Sequence, residues 1–338
     1  MLKRNGGFSI KYSNRVIVLF ASAVWASFFA LLENLYYGKK IKAVKELNSP
    51  LFIVGNWRTG TTFLHQLLAL DSQFNYTSVF KVSHPDHFLV SKKYYTPIMS
   101  KMINSTRPMD NVKVGVNEPQ EDEYALLKMG KDMVLEKLIF QSNNNFFIEE
   151  DDNFMPKDEA LFSRSIKNLM RKLQVDSNKT PLFKNPFHSL RIPFLRKHFP
   201  NAKYIHIYRN PVDVVPSSIH MWNIVGRQNI LKGSWVEPSV EVIVKLYNRI
   251  ILGIRREFKD MNENNFVEVT FENLEEDPVA VIKTIYRKLE LNFSSEYENK
   301  LLSYCADLKS YKKNSYTISQ SDKDLIKNTM FETTPEYF

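Results

Sequence analysis

At 338 residues and 39.6 kDa, the chain is the size of one large α/β domain with insertions or of two modest domains. Apolar residues make up 43% and charged residues 25%, ordinary usage that excludes a collagenous or a largely disordered chain. The single Cys305 excludes an internal disulfide and a cysteine-cluster metal site, and fits a reducing, cytoplasmic compartment. A formal net charge of +9 favours an anionic ligand, nucleic acid or an anionic membrane surface.

Val16 to Leu32 carries no charge; Lys3, Arg4, Lys11 and Arg15 precede it and Glu33 closes it. A spanning helix wants about 20 apolar residues, with about 17 as the floor. The run is longer than the apolar part of a signal peptide and has no cleavage site before Glu33-Asn34. The sequence therefore predicts a helix packed on the domain or lying on a bilayer surface through residues 14–36, with a single span still open. Basic residues flank both ends, so charge asymmetry gives no orientation. Residues 1–48 form this helical segment, and 49–338 are expected to form one domain.

Beyond it, Leu51 to Val54 reads as a buried strand and Thr61 to Leu70 as a helix. Residues 72–120 read as loop-rich. A short helix is predicted at Glu121–Met129 and an amphipathic helix at Lys157–Leu173, with a polar excursion over 143–152 between them. A strand follows at Pro181–Lys184, then helix at His188–His198 interrupted near Pro193. Lys203–Tyr208 is a strand, and Pro211–Trp222 and Ser239–Met261 are helices. Phe266–Val269 is a strand and Pro278–Leu289 a helix. Strands separated by helices predict an α/β fold: a P-loop-like parallel sheet flanked by helices on both faces, with the apolar helix at the N-terminus.

The segment Leu51 to Leu68, LFIVGNWRTGTTFLHQLL, carries the chemistry. A loop entering a helix N-terminus presents free N–H groups and the positive end of the helix dipole. Gly55 and Gly60, four residues between them and Thr61-Thr62 after, match the Walker A frame except that Thr61 stands where the lysine belongs. The cation is Arg58, at the loop apex, where it can meet a transferring group or a bridging oxygen. A bland turn explains glycines alone; glycines with an arginine and three threonines favour an anion site. A second candidate anchor is Arg209, at the carboxyl end of a strand, with Ser217 eight residues on. Asp213 between them reads as a first-turn acid.

These two stretches resemble PAPS-dependent sulfotransferases, in the bacterial branch whose loop carries arginine (RSGTT-type). PAPS is 3′-phosphoadenosine-5′-phosphosulfate. By that resemblance Trp57, Arg58, Thr59, Gly60, Thr61, Thr62 and Phe63 hold the 5′-phosphosulfate. Tyr208-Arg209-Asn210-Pro211-x-Asp213-x-x-x-Ser217 is similar to the 3′-phosphate motif, so Arg209 and Ser217 hold the 3′-phosphate. Val269 to Leu274, running on to Pro278, is similar to the segment that borders adenine, with Phe271 in place of a tyrosine. The family's C-terminal Arg-Lys-Gly element is not evident; Leu231-Lys232-Gly233 is a partial echo, and Lys312 or Lys313 could stand in as a cation.

Transfer to an alcohol needs a base within hydrogen-bond reach of the acceptor hydroxyl. Lys184 fits the family's lysine at the leaving group, but Pro186 occupies the position of the usual histidine. Glu121, in Pro119-Gln120-Glu121-Asp122-Glu123, is the preferred base and His188 the second candidate; an ordinary acidic first turn is the competing explanation. His84 and His87 are expected to border the acceptor pocket without a catalytic role. The resemblance implies PAPS as co-substrate and no metal. Abundant aromatic residues and the apolar helix point to a lipophilic acceptor such as a sterol or other lipid, with carbohydrate as the alternative. An ATP–Mg²⁺ phosphotransferase and a non-catalytic anion-binding module are the competing classes. No nucleic-acid-reading motif is present, and oligomeric state is left open.

Overall fold

The computed structural model describes residues 1–103, 106–107, 114–130, 133–141, 147, 155–175, 177–307 and 316–338. A long helix, α1 (Ser13–Ala43), leads into β1 (Leu51–Val54), α2 (Thr61–Ala69) and β2 (Phe74–Tyr76). Four helices follow, α3 (Val79–Ser83), α4 (Phe88–Met102), α5 (Glu123–Met129) and α6 (Val134–Ile139), then α7 (Glu159–Gln174). The chain continues through β3 (Thr180–Lys184), a 3₁₀ turn at Pro186–Leu190, α8 (Ile192–His198), β4 (Lys203–Tyr208), α9 (Pro211–Asn229) and α10 (Val240–Lys259). It ends with β5 (Phe266–Thr270), α11 (Phe271–Glu276), α12 (Pro278–Lys288), α13 (Ser295–Asp307) and α14 (Gln320–Met330).

The five strands form one parallel sheet in the order β2-β3-β1-β4-β5. Strand alternation sorts the core into two layers. Leu51 and Ile53 face α2, α12 and α13, where Leu64, Leu67, Ile282, Ile285 and Leu301 close over them. Phe52 and Val54 face α7, α9, α10 and α14. Phe52 is in register with Phe183 and Tyr204, and its ring stacks on both, at 5.7 and 5.6 Å. From β1 the chain first builds the β3 side of the sheet and then crosses to β4. The β1–β4 boundary is therefore the switch point at which open α/β sheets leave a crevice above their carboxyl ends.

The structure departs from expectation in two places. The stretch 72–120, expected to be loop-rich, holds β2, α3 and α4, which take up more than half of its described residues. Pro97 lies inside α4 and hides that helix, because proline removes one backbone donor and normally ends a helix. α13 and α14 were also unforeseen; each buries only two side chains, Tyr297 and Leu301 in one and Ile326 and Met330 in the other. Most of 143–152 lies outside the described residues.

Helix α1 is longer than the uncharged run and is fastened at its start and again at Glu33. Before and at its start, Arg4 Nη2 pairs with Glu136 at 2.6 Å, Ser9 N–H donates to Leu231 O, and Arg15 Nη1 donates to Gln228 O. Further along, buried Glu33 pairs with Lys172 of α7 at 2.5 Å and accepts the N–H of Leu89 in α4 at 2.8 Å.

Glu268 of β5 pins the sheet edge. It lies beside His206 of β4 in register, bonds His206 Nδ1 at 2.6 Å and takes the Arg255 guanidinium of α10 at 2.7 Å. Burial raises its carboxyl, but His206 and Arg255 outweigh that and bring it to about 2, from an ordinary 4.5. A depressed carboxyl stabilises the fold above its unfolded value and loses that contribution as pH falls through the folded one. Glu268→Gln is therefore expected to lose about 2–3 kcal/mol at pH 7 by urea unfolding. The gap to wild type should begin to shrink near pH 4.5 and close near pH 2.

Candidate active site

The loop after β1 is shaped by backbone chemistry. Arg58 (φ 70°) and Gly60 (φ 90°) both take left-handed conformations, turning successive N–H groups toward one concavity at the start of α2. A Cβ at Gly60 would overlap the Phe271 ring, and one at Gly55 would overlap Ile207 O. Ser189 Oγ closes the loop's base, accepting from Gly55 N at 2.8 Å and donating to Gly55 O at 3.0 Å. Thr59 Oγ1 donates to Asn56 O at 2.8 Å, so that threonine braces the loop from within. The Trp57 ring is taken up by the core, edge-on to Phe187 at 4.8 Å and Trp222 at 5.1 Å; only its backbone borders the concavity. Phe63 packs on the α2-side core layer. Thr61 opens α2, and Thr62 is partly exposed beside it.

Arg58 Nε donates to Ser217 Oγ at 2.9 Å. That bond joins the two motifs, 159 residues apart in the chain. Arg209 is held at the end of β4 by Tyr247, whose hydroxyl accepts from Arg209 N at 3.0 Å and donates to Arg209 O at 2.7 Å. The Arg209 guanidinium lies 4.6 Å over the Phe271 ring and pairs with Asp213 at 3.0 Å. Its Nε is buried and has no hydrogen-bond partner among the described residues. Asp213 is thus an ion-pair partner, while Asn210 caps α9 by accepting from Val212 N. An unfilled arginine donor beside a glycine cradle fits a bound anionic nucleotide.

The acidic run before α5 forms a ladder with the segment after β3. Glu121 Oε1 accepts from Lys184 Nζ at 2.7 Å, Asp122 Oδ2 bonds His188 Nε2 at 2.8 Å, and Glu123 takes Arg191 in two bonds of 2.6 and 2.9 Å. Only the first rung borders the loop: Lys184 Nζ also lies 3.4 Å from Thr62 Oγ1, and the Glu121 side chain is 17% exposed. Burial lowers the Lys184 ammonium below its ordinary value; Glu121 offsets part of this and Arg107 adds to it. Burial pushes the Glu123 carboxyl up, but Arg191 and Asn185 outweigh it and hold it below the usual carboxylate range. His188 and Asp122 are both fully buried. Of the two candidate bases, His188 is held by Asp122 inside the core, while Glu121 keeps an exposed edge beside the loop.

Residues 50–295, more than half of the chain, match the model of the sulfotransferase family. The chain belongs to the sulfotransferase family. Over 328 residues it is 30% identical to the omega-hydroxy-beta-dihydromenaquinone-9 sulfotransferase Stf3 of Mycobacterium bovis, covering 95% of this chain and 83% of that one. The protein of the same name from Mycobacterium tuberculosis matches equally. Among solved structures, sulfotransferase STF9 from Mycobacterium avium superposes with a TM-score of 0.73 at 16% identity, over 97% of this chain and 86% of that one. STF1 from M. tuberculosis H37Rv gives 0.63 at 17% identity, over 96% and 87%. Both share the fold.

In this sulfotransferase, the structure brings together Arg58, Thr62, Glu121, Lys184 and Ser217 from segments far apart in the chain. Lys232 is not in that group: its ammonium donates to Asn5 O and Gly6 O and holds the N-terminal arm. Lys312 and Lys313 lie outside the described residues. Tyr247, Asn185 and Arg191 were missed by sequence reasoning. The one local signal was Arg191 following His188 by three, parallel to the acidic run.

Proposed function

We propose that this sulfotransferase moves the sulfuryl group of PAPS to the hydroxyl of a lipophilic alcohol, with Glu121 as base and side-chain cations, rather than a metal, at the donor. The observation that carries the reading is the Arg58–Ser217 bond with the Lys184–Glu121 pair beside Thr62. It supports a single crevice that serves a phosphosulfate at one end and a 3′-phosphate at the other. The loop N–H groups and the hydroxyls of Thr61 and Thr62 are donors aimed at oxyanions. Arg209, with its unfilled Nε, and Ser217 are assigned to the 3′-phosphate.

In the reaction, the acceptor O–H gives its proton to Glu121 as the new O–S bond forms. The S–O bond to the 5′-phosphate breaks in line, leaving adenosine 3′,5′-bisphosphate. Lys184 turns from Glu121 to the bridging oxygen, which neutralises the leaving group and frees the carboxylate to accept the proton in one movement. The lipophilic acceptor is supported by the relative named for a hydroxylated menaquinone.

Calorimetric titration with adenosine 3′,5′-bisphosphate, AMP and ATP–Mg²⁺ tests the donor. The bisphosphate is expected to bind about 10–100-fold more tightly than AMP, the worth of hydrogen bonds to one charged group. Arg209→Ala should bring it down to the AMP level. Tighter binding of ATP–Mg²⁺ overturns the reading in favour of phosphoryl transfer. Turnover on carbohydrates alone, with hydroxylated menaquinones and sterols inert, overturns the acceptor class.

A further inference from the structure

The outward side of α1 is an apolar surface with nothing packed on it among the described residues. Ile17, Phe20, Val24, Phe28, Leu31 and Leu35 recur at helical spacing and are 52–72% exposed. Tyr94, Ile98 and Met102 of α4 extend the patch at 57–78% exposure. Single exposed apolar residues are ordinary in a soluble domain, but a contiguous field of this extent marks an interaction surface. The inward side of the same helix is built differently: Phe29 meets His87 at 5.6 Å and Tyr95 at 5.2 Å, and Glu33 is buried against Lys172.

Charge identifies the occupant. Continuing the outward row beyond Leu35 gives Lys39 and Lys42, and Lys3, Lys11, Arg15, Lys40, Lys45, Lys92, Lys93 and Lys101 are exposed around the patch. Glu33 is the sole carboxylate in residues 1–45, and it faces inward. A second copy of this chain would bring the same positive rim against itself. An anionic bilayer presents the complementary sign together with an apolar interior, and Trp25, Tyr36 and Tyr94 on the exposed side are the residue types that settle at headgroup depth.

Attachment decides the orientation. Arg15 is tied to Gln228 O and Glu33 to Lys172 and Leu89 N, about 27 Å apart along the helix axis. A bilayer's hydrocarbon core is about 30 Å thick, so a span would place these two anchors on opposite sides of the membrane. Both belong to the same folded body. We infer that α1 and α4 form an in-plane docking face for an anionic lipid bilayer, with α1 lying along the surface and not across it. This inference is independent of the transfer reaction and holds or fails whichever donor the crevice binds.

The test is co-sedimentation of the full chain with vesicles of phosphatidylcholine, alone or with about one third phosphatidylglycerol. Binding is expected to be at least about tenfold stronger to the anionic vesicles and to weaken as salt rises. Phe20→Glu/Phe28→Glu should reduce it by at least about tenfold. Leu302→Glu, at an exposed position of α13, should leave it unchanged. Thermal unfolding of each variant at the wild-type temperature excludes misfolding as the cause. Alkaline carbonate should strip the bound protein from the vesicles. Retention through carbonate would establish a span and overturn the in-plane assignment. Vesicle binding unaffected by Phe20→Glu/Phe28→Glu, or none at all, overturns the docking face. So does a dimer in light scattering that these substitutions convert to monomer.

Discussion

Glu121→Gln is expected to lower kcat by about 10²–10⁴-fold, the usual worth of a positioned general base. The amide keeps the shape of the side chain and cannot take the acceptor proton. The substitution also releases Lys184 from its 2.7 Å partner. Affinity for adenosine 3′,5′-bisphosphate should therefore stay equal to wild type or tighten, which separates a lost base from a damaged donor site. Steady-state turnover and calorimetry on the same preparation read both quantities. His188→Gln is the counterpart. If it abolishes turnover without unfolding the protein while Glu121→Gln does not, the base assignment is reversed.

Arg191→Met is expected to cost about 3–5 kcal/mol of stability, because it strands the Glu123 carboxylate in the core. Both side chains are essentially without solvent exposure, and the carboxylate's second support is Asn185 at 2.8 Å. That loss is a large part of the about 5–15 kcal/mol that holds a typical domain together. Urea unfolding should show a lower midpoint with the slope preserved. Adding Glu123→Leu removes the stranded charge and should restore much of the loss, since an apolar pair of similar volume replaces a buried ion pair at little net cost. No recovery in the double variant would mean that the Arg191 stem packed over Phe162 and Phe187, and not the ion pair, supplies the stability.

The sequence disclosed features whose causes are local. The β1–α2 loop was legible because glycines at fixed offsets, a cation and a helix start leave few alternatives. The β4–α9 corner was legible because proline at the first helical position after an alternating strand has one common meaning. The Glu121–Lys184, Asp122–His188 and Glu123–Arg191 partnerships span 63 to 68 residues, and no local pattern encodes which carboxylate takes which cation. The sequence singled out Glu121 through the family resemblance, without a physical reason to set it apart from its two neighbours; burial supplies that reason, since Glu121 keeps an exposed edge while Asp122 and Glu123 are enclosed. α4 was concealed by a proline that the helix tolerates. The fastening of α1 at its start was invisible because it depends on backbone acceptors at Gln228 and Leu231, which carry no residue-type signal.

The Phe271 ring touches both the loop after β1 and the cation at the end of β4. One edge presses on Gly60, where no side chain fits, and its face lies beneath the Arg209 guanidinium. An aromatic ring has a fixed thickness and does not compress. It therefore acts as a spacer gauge that sets how far the cation at the end of β4 stands from the phosphate loop. A smaller aliphatic residue at 271 would let the two sides approach, and a bulkier one would wedge them apart. If the two phosphates bind as proposed, one side chain measures the separation between them, which ties the choice of donor to a steric dimension as well as to charge.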